Sequence, residues 1–333
     1  MTDPVRPVTL DEIHSARARI AGTILRTPLV RLEQGKNAPD IRLKLENLQP
    51  INAYKLRGAA NAVASLPEAE RRRGVWTISA GNAGQGVAYA AMKAGVPCTV
   101  VAIESAPLAK LERMQALGAR IVPISYARAW EALEDRAFPG VHGTFIHPFD
   151  DHNFIAGNAT IGLEILEDAP DTKAVIGSIG GGGLVVGVAS AVKALKPDIS
   201  VFGAEPETAA PASLSFAAGS PQAFPAWKPS FVDGAGGQSM FPRMWQRMQG
   251  LVDGSIVVGL DDVRRAMRLL AEKTRVIAEG AGALALAAAL SGKAGAGPVV
   301  VVISGGNIDL AKFCELVATQ NANQFHNNDF NSE

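Results

Sequence analysis

Charged residues are scarce in this sequence, and neither sign dominates. Lys and Arg total 32, Asp and Glu total 32, and together they make up 19% of the 333 residues, below the roughly 25% of an average chain. With 47% apolar residues, this composition excludes a chain that is disordered throughout and excludes a coiled coil. A net charge of zero gives no electrostatic preference for nucleic acid or an anionic membrane, so we expect neither partner.

Cysteine is also rare, and long apolar segments are missing. The two cysteines, Cys98 and Cys314, match neither a CxxC pair nor a metal-binding spacing. Such cysteine use fits a reducing compartment, and the N-terminal residues lack the apolar segment of a signal peptide, so we expect a cytoplasmic protein. The longest apolar helical stretch, around 281–290, is too short to span a bilayer.

Short apolar runs alternate with helical patterns along most of the chain. The runs are continuous in Val and Ile, which is typical of strands buried on both faces, and their alternation with helices favours parallel sheets. We therefore predict an α/β fold with two sheets, with strands at 75–79, 97–103, 119–124, 173–180, 200–206, 255–260 and 298–304. The Ala-, Ser- and Pro-rich segment 209–229 is predicted to be irregular, and the polar tail 321–333 to be disordered.

Three glycine-containing segments each follow one of these apolar runs. Ligands bind at the carboxyl ends of parallel strands, so the three segments are expected to converge on one ligand. The first segment consists of Gly180, Gly181, Gly182 and Gly183. Because these residues have no side chains, backbone N–H groups at this strand-to-helix junction can approach and bind a phosphate. The second, 79–85, offers an anion nest suited to a carboxylate, with Ser79 as a candidate helix cap. The third, 304–307, places the hydroxyl of Ser304 where a buried ligand could contact it.

Two nucleotide-binding patterns also use glycine-rich loops, but neither is complete here. The dinucleotide fingerprint GxGxxG needs Gly or Ala at its last position. Counted from Gly180 or Gly181, that position is Val185 or Val186. No Gly-Lys-Ser/Thr sequence closes any loop, as a P-loop requires. We therefore expect a phosphate-bearing ligand that is not a nucleotide.

Lys55 lies in the motif AYKLRGA at the start of a predicted helix, where a lone lysine is usually a solvated surface residue. Together with SAGNAGQG (79–86), the tetraglycine loop, GAEPE (203–207) and SGGN (304–307), this motif resembles the serine/threonine dehydratase and serine racemase branch of the fold-type II pyridoxal-phosphate (PLP) enzymes. The resemblance covers about residues 9–316. It implies an architecture like that of the tryptophan synthase β-subunit, with a large domain of residues 1–73 plus 151–320 and a small domain of residues 74–150.

The resemblance also implies a role for each matched residue. Lys55 would form the Schiff base with PLP and then act as nucleophile and base, because burial lowers the pKa of a lysine. The four glycines would hold the phosphate. Ser304 would face the pyridine nitrogen, where a hydroxyl leaves the ring a weaker electron sink than a carboxylate does. The remaining residues implied are Asn82 and Glu279 at the cofactor, and Ser79, Ala80, Gly81, Asn82 and Ala83 at the substrate carboxylate.

These roles describe a lyase that dehydrates and deaminates a β-hydroxy amino acid, with L-threonine and L-serine as expected substrates. Two alternatives keep PLP: a dehydratase for a bulkier substrate such as phenylserine, and an amino-acid racemase. Ala80 stands where racemases of the branch carry Ser, which disfavours racemisation. Ala83 stands where His is common and would enlarge the pocket, which leaves room for phenylserine. A non-enzymatic ligand sensor is disfavoured by the intact lysine and glycine loops.

Many relatives of this branch bind a divalent cation through a Glu, a backbone carbonyl and an Asp. Glu205 and the Ala209 carbonyl match the first two, but Pro211 stands at the Asp position, so we expect no metal. The resemblance further implies a homodimer, and a small domain that closes the cleft when it binds the substrate carboxylate.

Overall fold

The computed structural model describes residues 4–35 and 38–318, so the predicted disordered tail 321–333 lies outside the described residues. The helices span Leu10–Ile20 (α1), Lys55–Ser65 (α2), Glu68–Arg72 (α3), Asn82–Ala94 (α4), Leu108–Ala116 (α5), Tyr126–Asp135 (α6), His152–Asp168 (α7), Gly183–Leu195 (α8), Pro211–Ala218 (α9), Pro242–Met248 (α10), Leu260–Thr274 (α11), Gly280–Leu290 (α12) and Leu310–Ala318 (α13). The strands span Leu29–Arg31 (β1), Ile41–Lys44 (β2), Val75–Ile78 (β3), Cys98–Ile103 (β4), Arg120–Ile124 (β5), Thr144–Phe145 (β6), Ala174–Ser178 (β7), Ser200–Pro206 (β8), Gly254–Val258 (β9) and Val299–Val302 (β10).

Within the described ranges, the strands form one six-stranded and one four-stranded sheet. The larger sheet has the order β1-β2-β10-β7-β8-β9, in which β1 runs antiparallel to β2 and every other pair is parallel. The smaller sheet has the order β5-β4-β3-β6 and is parallel throughout. The predicted α/β fold with two parallel-rich sheets is therefore confirmed. The short strands β1, β2 and β6 were not signalled by any apolar run.

The smaller sheet uses strands from within residues 75–145, and the larger sheet uses strands before and after them. This division agrees with the resemblance, although the exact boundaries stay a prediction. Below, "small domain" denotes residues 74–150 and "large domain" the other described residues.

The inner strands β3, β7 and β10 are buried on both faces, which explains the continuous apolar runs in the sequence. In the larger sheet, Val175 and Val300 pack into a cluster with α7 and α8, whereas Ile176 and Val301 pack on the other face with α11 and α12. In the smaller sheet, Val75 and Val100 pack against α4, and Trp76 and Val101 pack against α6. Side chains alternate across each strand, so each face needs its own layer of helices.

Helix α2, which begins at Lys55, packs closely on α7. A Cβ at Gly157 would overlap the backbone carbonyl of Arg57, and a Cβ at Gly58 would overlap the ring of Phe154. Glycine at these two positions therefore lets the helices approach and fixes the start of α2 against the large domain.

The prediction of an irregular segment at 209–229 is wrong for its first part, where α9 forms. Pro211 occupies the first helical position, where the fixed φ of proline suits a helix. The carboxylate of Glu205 accepts hydrogen bonds from the N–H groups of Ala212 and Ser213, each at 2.8 Å. The helix is thus started by a distant side chain, which local composition does not reveal.

Candidate active site

The three glycine-containing segments follow β3, β7 and β10, and the last of them lies against the start of α2. The N–H of Tyr54 donates to the Ser304 carbonyl at 3.0 Å, and the N–H of Gly306 donates to the Asn52 carbonyl at 2.9 Å. Asn82, at the start of α4, accepts from Asn307 of that segment at 2.8 Å and donates to Glu279 at 2.6 Å. The second and third segments are therefore in contact and join the two domains, and the convergence of all three on one ligand stays a prediction.

Lys55 is the first residue of α2 and its amine lies in apolar surroundings. Nζ donates to the Pro148 carbonyl at 2.7 Å and lies 5.3 Å and 5.5 Å from the ring centroids of Tyr54 and Phe154. In the described part of the chain, no carboxylate forms a salt bridge with this amine. Because burial disfavours the charged form, the pKa of Lys55 falls to about 7, and a large fraction of the amine is neutral and nucleophilic at neutral pH.

The four consecutive glycines connect β7 to α8 and form a cradle without side chains. Gly182 caps α8 with φ +90°, a conformation that favours glycine. A Cβ at Gly181 would overlap the ring of Phe149, and one at Gly182 would overlap Met248. The first N–H groups of α8 lack partners within the helix and point out of its positive end, which suits a phosphate.

The loop at residues 79–83 connects β3 to α4 and is partly exposed up to Asn82. The expectation that Ser79 caps α4 is wrong, because the helix begins only at Asn82 and its N-cap is Gly81. The Ser79 hydroxyl instead accepts a hydrogen bond from the Gly81 N–H at 3.1 Å, which closes a tight turn. Since no side chain caps α4, its first N–H groups face the loop as an anion nest. Ala80 lies in this turn and Ala83 is buried in the first turn of α4.

Asn82 is held on both sides of its amide by the large domain. Its Nδ2 donates to Glu279 at 2.6 Å, and its Oδ1 accepts from Asn307 at 2.8 Å. Asn307 in turn accepts from Arg113 of α5 at 2.8 Å. Burial raises the pKa of Glu279 to about 7, helped by the charge of Asp233. The sequence motif SGGN contained Asn307, but nothing in the sequence indicated Arg113 as its partner.

Ser304 is buried at the end of β10 and lies beside the first turn of α12. Its hydroxyl donates to the Ala281 carbonyl at 3.2 Å. A Cβ at the next residue, Gly305, would overlap the Glu279 carboxyl and lie 3.1 Å from the Asn82 amide. Ser304 thus belongs to the same group of side chains as Asn82 and Glu279.

Glu205, the candidate metal ligand, is engaged elsewhere. Besides the two N–H groups of α9, its carboxylate accepts from the Ser255 hydroxyl at 2.7 Å, and burial raises its pKa to about 7. The position aligned with a metal-binding Asp is Pro211, which begins the helix that Glu205 caps. In residues 4–35 and 38–318, no group of three His, Cys, Asp or Glu side chains is arranged to hold a metal ion. Glu205 therefore holds the start of α9 and Ser255 in this structure, and the expected absence of a metal stays a prediction.

The residues around Lys55 do fit PLP. Phe149 and Met248 leave no space for a Cβ at Gly181 and Gly182, so the cradle presents backbone N–H donors, which suit a phosphate. The lysine amine has a lowered pKa, as covalent attachment to an aldehyde requires. Asn82, Glu279 and Ser304 supply a neighbouring group of polar atoms. No helix among the described residues is long and apolar enough to cross a membrane.

Comparison with known proteins gives the same result. The family described as pyridoxal-phosphate dependent enzyme matches residues 20–305. The L-threonine ammonia-lyase of Thermotoga maritima is 38% identical over 308 residues, covering 91% of this chain and 76% of that protein. Maize serine racemase has a TM-score of 0.85 at 32% identity, covering 93% of this chain and 97% of its own. The threonine deaminase of T.th. has a TM-score of 0.82 at 36% identity, with 91% and 99% covered.

Both the matched range and these identities extend over most of the chain, and the lysine and glycine cradle lie inside the matched range. The chain therefore belongs to the family of pyridoxal-phosphate dependent enzymes, and PLP is its cofactor.

Proposed function

We propose that this protein catalyses the PLP-dependent dehydration and deamination of L-threonine and L-serine to a 2-keto acid and ammonia. The observation that carries the proposal is the amine of Lys55, which has a pKa near 7. This amine donates a hydrogen bond to the Pro148 carbonyl. The next residue, Phe149, packs its ring against the glycine cradle. The relatives named above include an L-threonine ammonia-lyase and a threonine deaminase, which supports this choice of substrates.

Each loop has a separate task in this reaction. The cradle at residues 180–183 binds the phosphate through backbone N–H groups, and the loop at 79–83 binds the substrate carboxylate at the positive end of α4. PLP, when bound, supplies the electron sink that stabilises negative charge at the substrate Cα. The neutral amine of Lys55 takes the Cα proton, and the β-hydroxyl gains a proton and leaves as water. A second water then replaces the amino group, so that the 2-keto acid and ammonia are released.

Asn82, Glu279 and Ser304 orient the cofactor ring in this proposal. Glu279 has a raised pKa, so a fraction of it is protonated near neutral pH. Asn82 of the small domain is fixed by two hydrogen bonds to the large domain, one to Glu279 and one from Asn307. The carboxylate site on the small domain and these contacts to the large domain allow the cleft to close on the substrate.

The test is 2-keto acid release from L-threonine and L-serine by the purified, PLP-loaded protein. Lys55→Ala is expected to lose both this activity and the visible absorbance of covalently held cofactor. Lys93→Ala, which removes an exposed lysine of α4, is the matched control and retains both. Turnover by Lys55→Ala at the wild-type rate would refute the assignment.

A racemase is the second candidate, supported by the similarity to maize serine racemase. Ala80 has no hydroxyl where racemases of the branch carry Ser, so a second proton donor is missing. We expect little D-serine from L-serine, and Ala80→Ser is expected to increase it. Rapid D-serine formation by the wild type would favour the racemase.

We further propose a homodimer. Leu25, Leu48 and Ile277 are exposed by 52%, 44% and 40%. They lie on one patch, since Gln49 bonds the backbone of Leu25, and Asn47 bonds that of Ile277. Light scattering on the purified protein measures the mass directly, and Leu48→Asp is expected to shift it toward the monomer. A cytoplasmic location stays a prediction.

A further inference from the structure

A small cavity begins at the glycine cradle and extends toward the small domain. Gly180 and Gly181 line one end, and the rings of Trp130, Phe149 and Phe241 line the rest together with Ser239. Its volume is about 30 Å³, which is enough for a group the size of a water molecule and far below the roughly 150 Å³ that accepts benzene. No charged side chain lines it among the described residues.

Two pairs among the three aromatic rings of the cavity are in contact, and Phe241 belongs to both. Trp130 of α6 stacks on Phe241 with ring centroids 5.2 Å apart and planes inclined by 29°. Phe149 meets Phe241 edge-on at 5.2 Å. These separations lie within the normal contact range of aromatic pairs, so no further ring fits between them. Trp130 belongs to the small domain and Phe241 to the large one, so the wall is complete only when the two domains are together.

The cavity lies beside the reacting groups. Phe149 directly follows Pro148, whose carbonyl accepts the hydrogen bond from Lys55, and the Phe149 ring packs on Gly181 of the cradle. In the function proposed above, Lys55 acts on the substrate and the cradle holds the phosphate. This cavity, which the Pro148–Phe149 segment places near both, is the space that a larger substituent on Cβ would need.

We propose that Trp130 is the specificity-determining residue that limits the β-substituent to hydrogen or methyl. This inference rests on the proposed dehydratase function and restricts its substrates to those with a small β-substituent. Ala83 leaves space in the first turn of α4, but the indole of Trp130, which also belongs to the small domain, closes the cavity against Phe241 of the large domain. The apolar lining also disfavours a charged β-substituent, because its charge would lose water without gaining a partner.

Among the three rings, Trp130 is the one whose removal enlarges the cavity at least structural cost. Phe149 belongs to the hydrophobic cluster formed with α7 and α8 and supports the cradle, and Phe241 packs against the same cluster. Trp130 is only partly buried and its indole lies above Gly237, whose added Cβ would stand 3.8 Å from it. Truncating the indole therefore opens the cavity without removing a core side chain.

The experiment compares kcat/KM for L-threonine and L-threo-phenylserine in the PLP-loaded wild type, Trp130→Ala and Trp130→Phe. We expect the ratio of phenylserine to threonine to rise about 10-fold or more in Trp130→Ala, since pocket volume changes are worth roughly 10- to 200-fold. Trp130→Phe is expected to show a smaller rise. Leu133→Ala truncates an apolar side chain of the same helix that packs inside the small domain, and its ratio is expected to stay unchanged.

An unchanged ratio in both Trp130 variants, with threonine turnover and cofactor absorbance retained, would overturn the size limit and leave the dehydratase function intact. A wild type that prefers phenylserine would overturn it as well. A wild type that releases no keto acid from either substrate would instead refute the dehydratase function, and the size limit with it. Trp130→Phe keeps the test decisive if Trp130→Ala fails to fold.

Discussion

Two clusters of buried charge flank the active site, and they are built differently. The Arg57 cluster consists of Lys44, Glu46, Arg57 and Glu164, and lies within the large domain directly behind Lys55. Arg57 bonds Glu46 at 2.8 Å and Glu164 at 2.7 Å, and Lys44 bonds Glu164 at 2.6 Å. None of the four side chains is more than 4% exposed, and two positive charges balance two negative ones.

The Asp150 cluster lies at the junction of the two domains and brings several arginines to one carboxylate. One carboxylate receives three guanidinium groups, from Arg136 of the small domain and from Arg243 and Arg247 of α10. Asp150 and Arg247 are buried, but Arg136 and Arg243 are 24% and 30% exposed. Burial raises the pKa of Asp150, but the hydrogen bond from Arg243 and the charge of Arg136 outweigh it, so the pKa is lowered.

We infer that the Arg57 cluster is a fixed support for Lys55, whereas the Asp150 cluster is a joint between two domains that move in the proposed function. Lys55 must keep its position while protons move, and the sealed Arg57 cluster ties α2 to β2 and α7. In the proposed function the cleft opens and closes at this junction, and water that reaches its arginines lowers the energy needed to separate them. The predictions below test this contrast.

Arg57→Met should have the largest effect on stability. It leaves Glu46 and Glu164 buried with Lys44 as the one remaining cation of the cluster, and breaking a buried ion pair in this way costs about 3–5 kcal/mol. Urea unfolding of the PLP-loaded protein measures the loss. Arg72→Met is the matched control, because Arg72 is 76% exposed in its pair with Glu68 and an exposed pair contributes at most about 1 kcal/mol. Equal losses in the two variants would contradict the role of the cluster as a support.

The sequence predicted the parts of this site that local motifs encode. These parts are Lys55, the four glycines and the loop at 79–83. Each lies in a short motif whose residue types indicate what the motif can bind or catalyse. The longer strands followed from their apolar runs, to within two residues at either end.

The remaining parts depend on partners that are distant in the chain. Glu164 is 107 residues from Arg57, and Asn307 is 194 residues from Arg113. Trp130 contacts Phe241 through a junction that only the folded chain forms. Helix α9 was not predicted for the same reason, because the side chain that accepts a hydrogen bond from its first turn, Glu205, lies in β8. The sequence around a buried charged or aromatic side chain does not show which distant residue that side chain will contact in the folded protein.

Asp150→Asn should have a smaller effect, of about 1.5–3 kcal/mol, the usual range for hydrogen bonds to a charged group. Because the pKa of Asp150 is lowered in the folded state, its contribution is present above the ordinary pKa of Asp, about 3.9, and is lost as the pH falls below that value. Unfolding free energies measured from pH 3 to 7 should show a constant gap between wild type and variant above about pH 5. The gap should narrow below about pH 4, and a gap that widens there would show that the carboxylate is not held in its charged form.

Lys110→Ala should have the smallest effect, and it should appear in binding rather than in stability. Lys110 of α5 reaches across the cleft to Asp233 at 2.8 Å, with side chains 28% and 58% exposed. An exposed pair is worth about 1 kcal/mol or less and is screened by salt. If it helps to hold the closed cleft, the KM for L-threonine rises less than about fivefold at low ionic strength, and the difference disappears at high salt.

The control for this last change is Lys312→Ala, which removes a similar exposed pair with Glu315 inside α13 and does not cross the cleft. Its KM should equal that of the wild type at every salt concentration. A salt-independent rise in KM for Lys110→Ala would mean that the lysine acts by packing and not by its charge. The contacts that cross the cleft would then resemble the sealed Arg57 cluster, and the contrast between support and joint would fail.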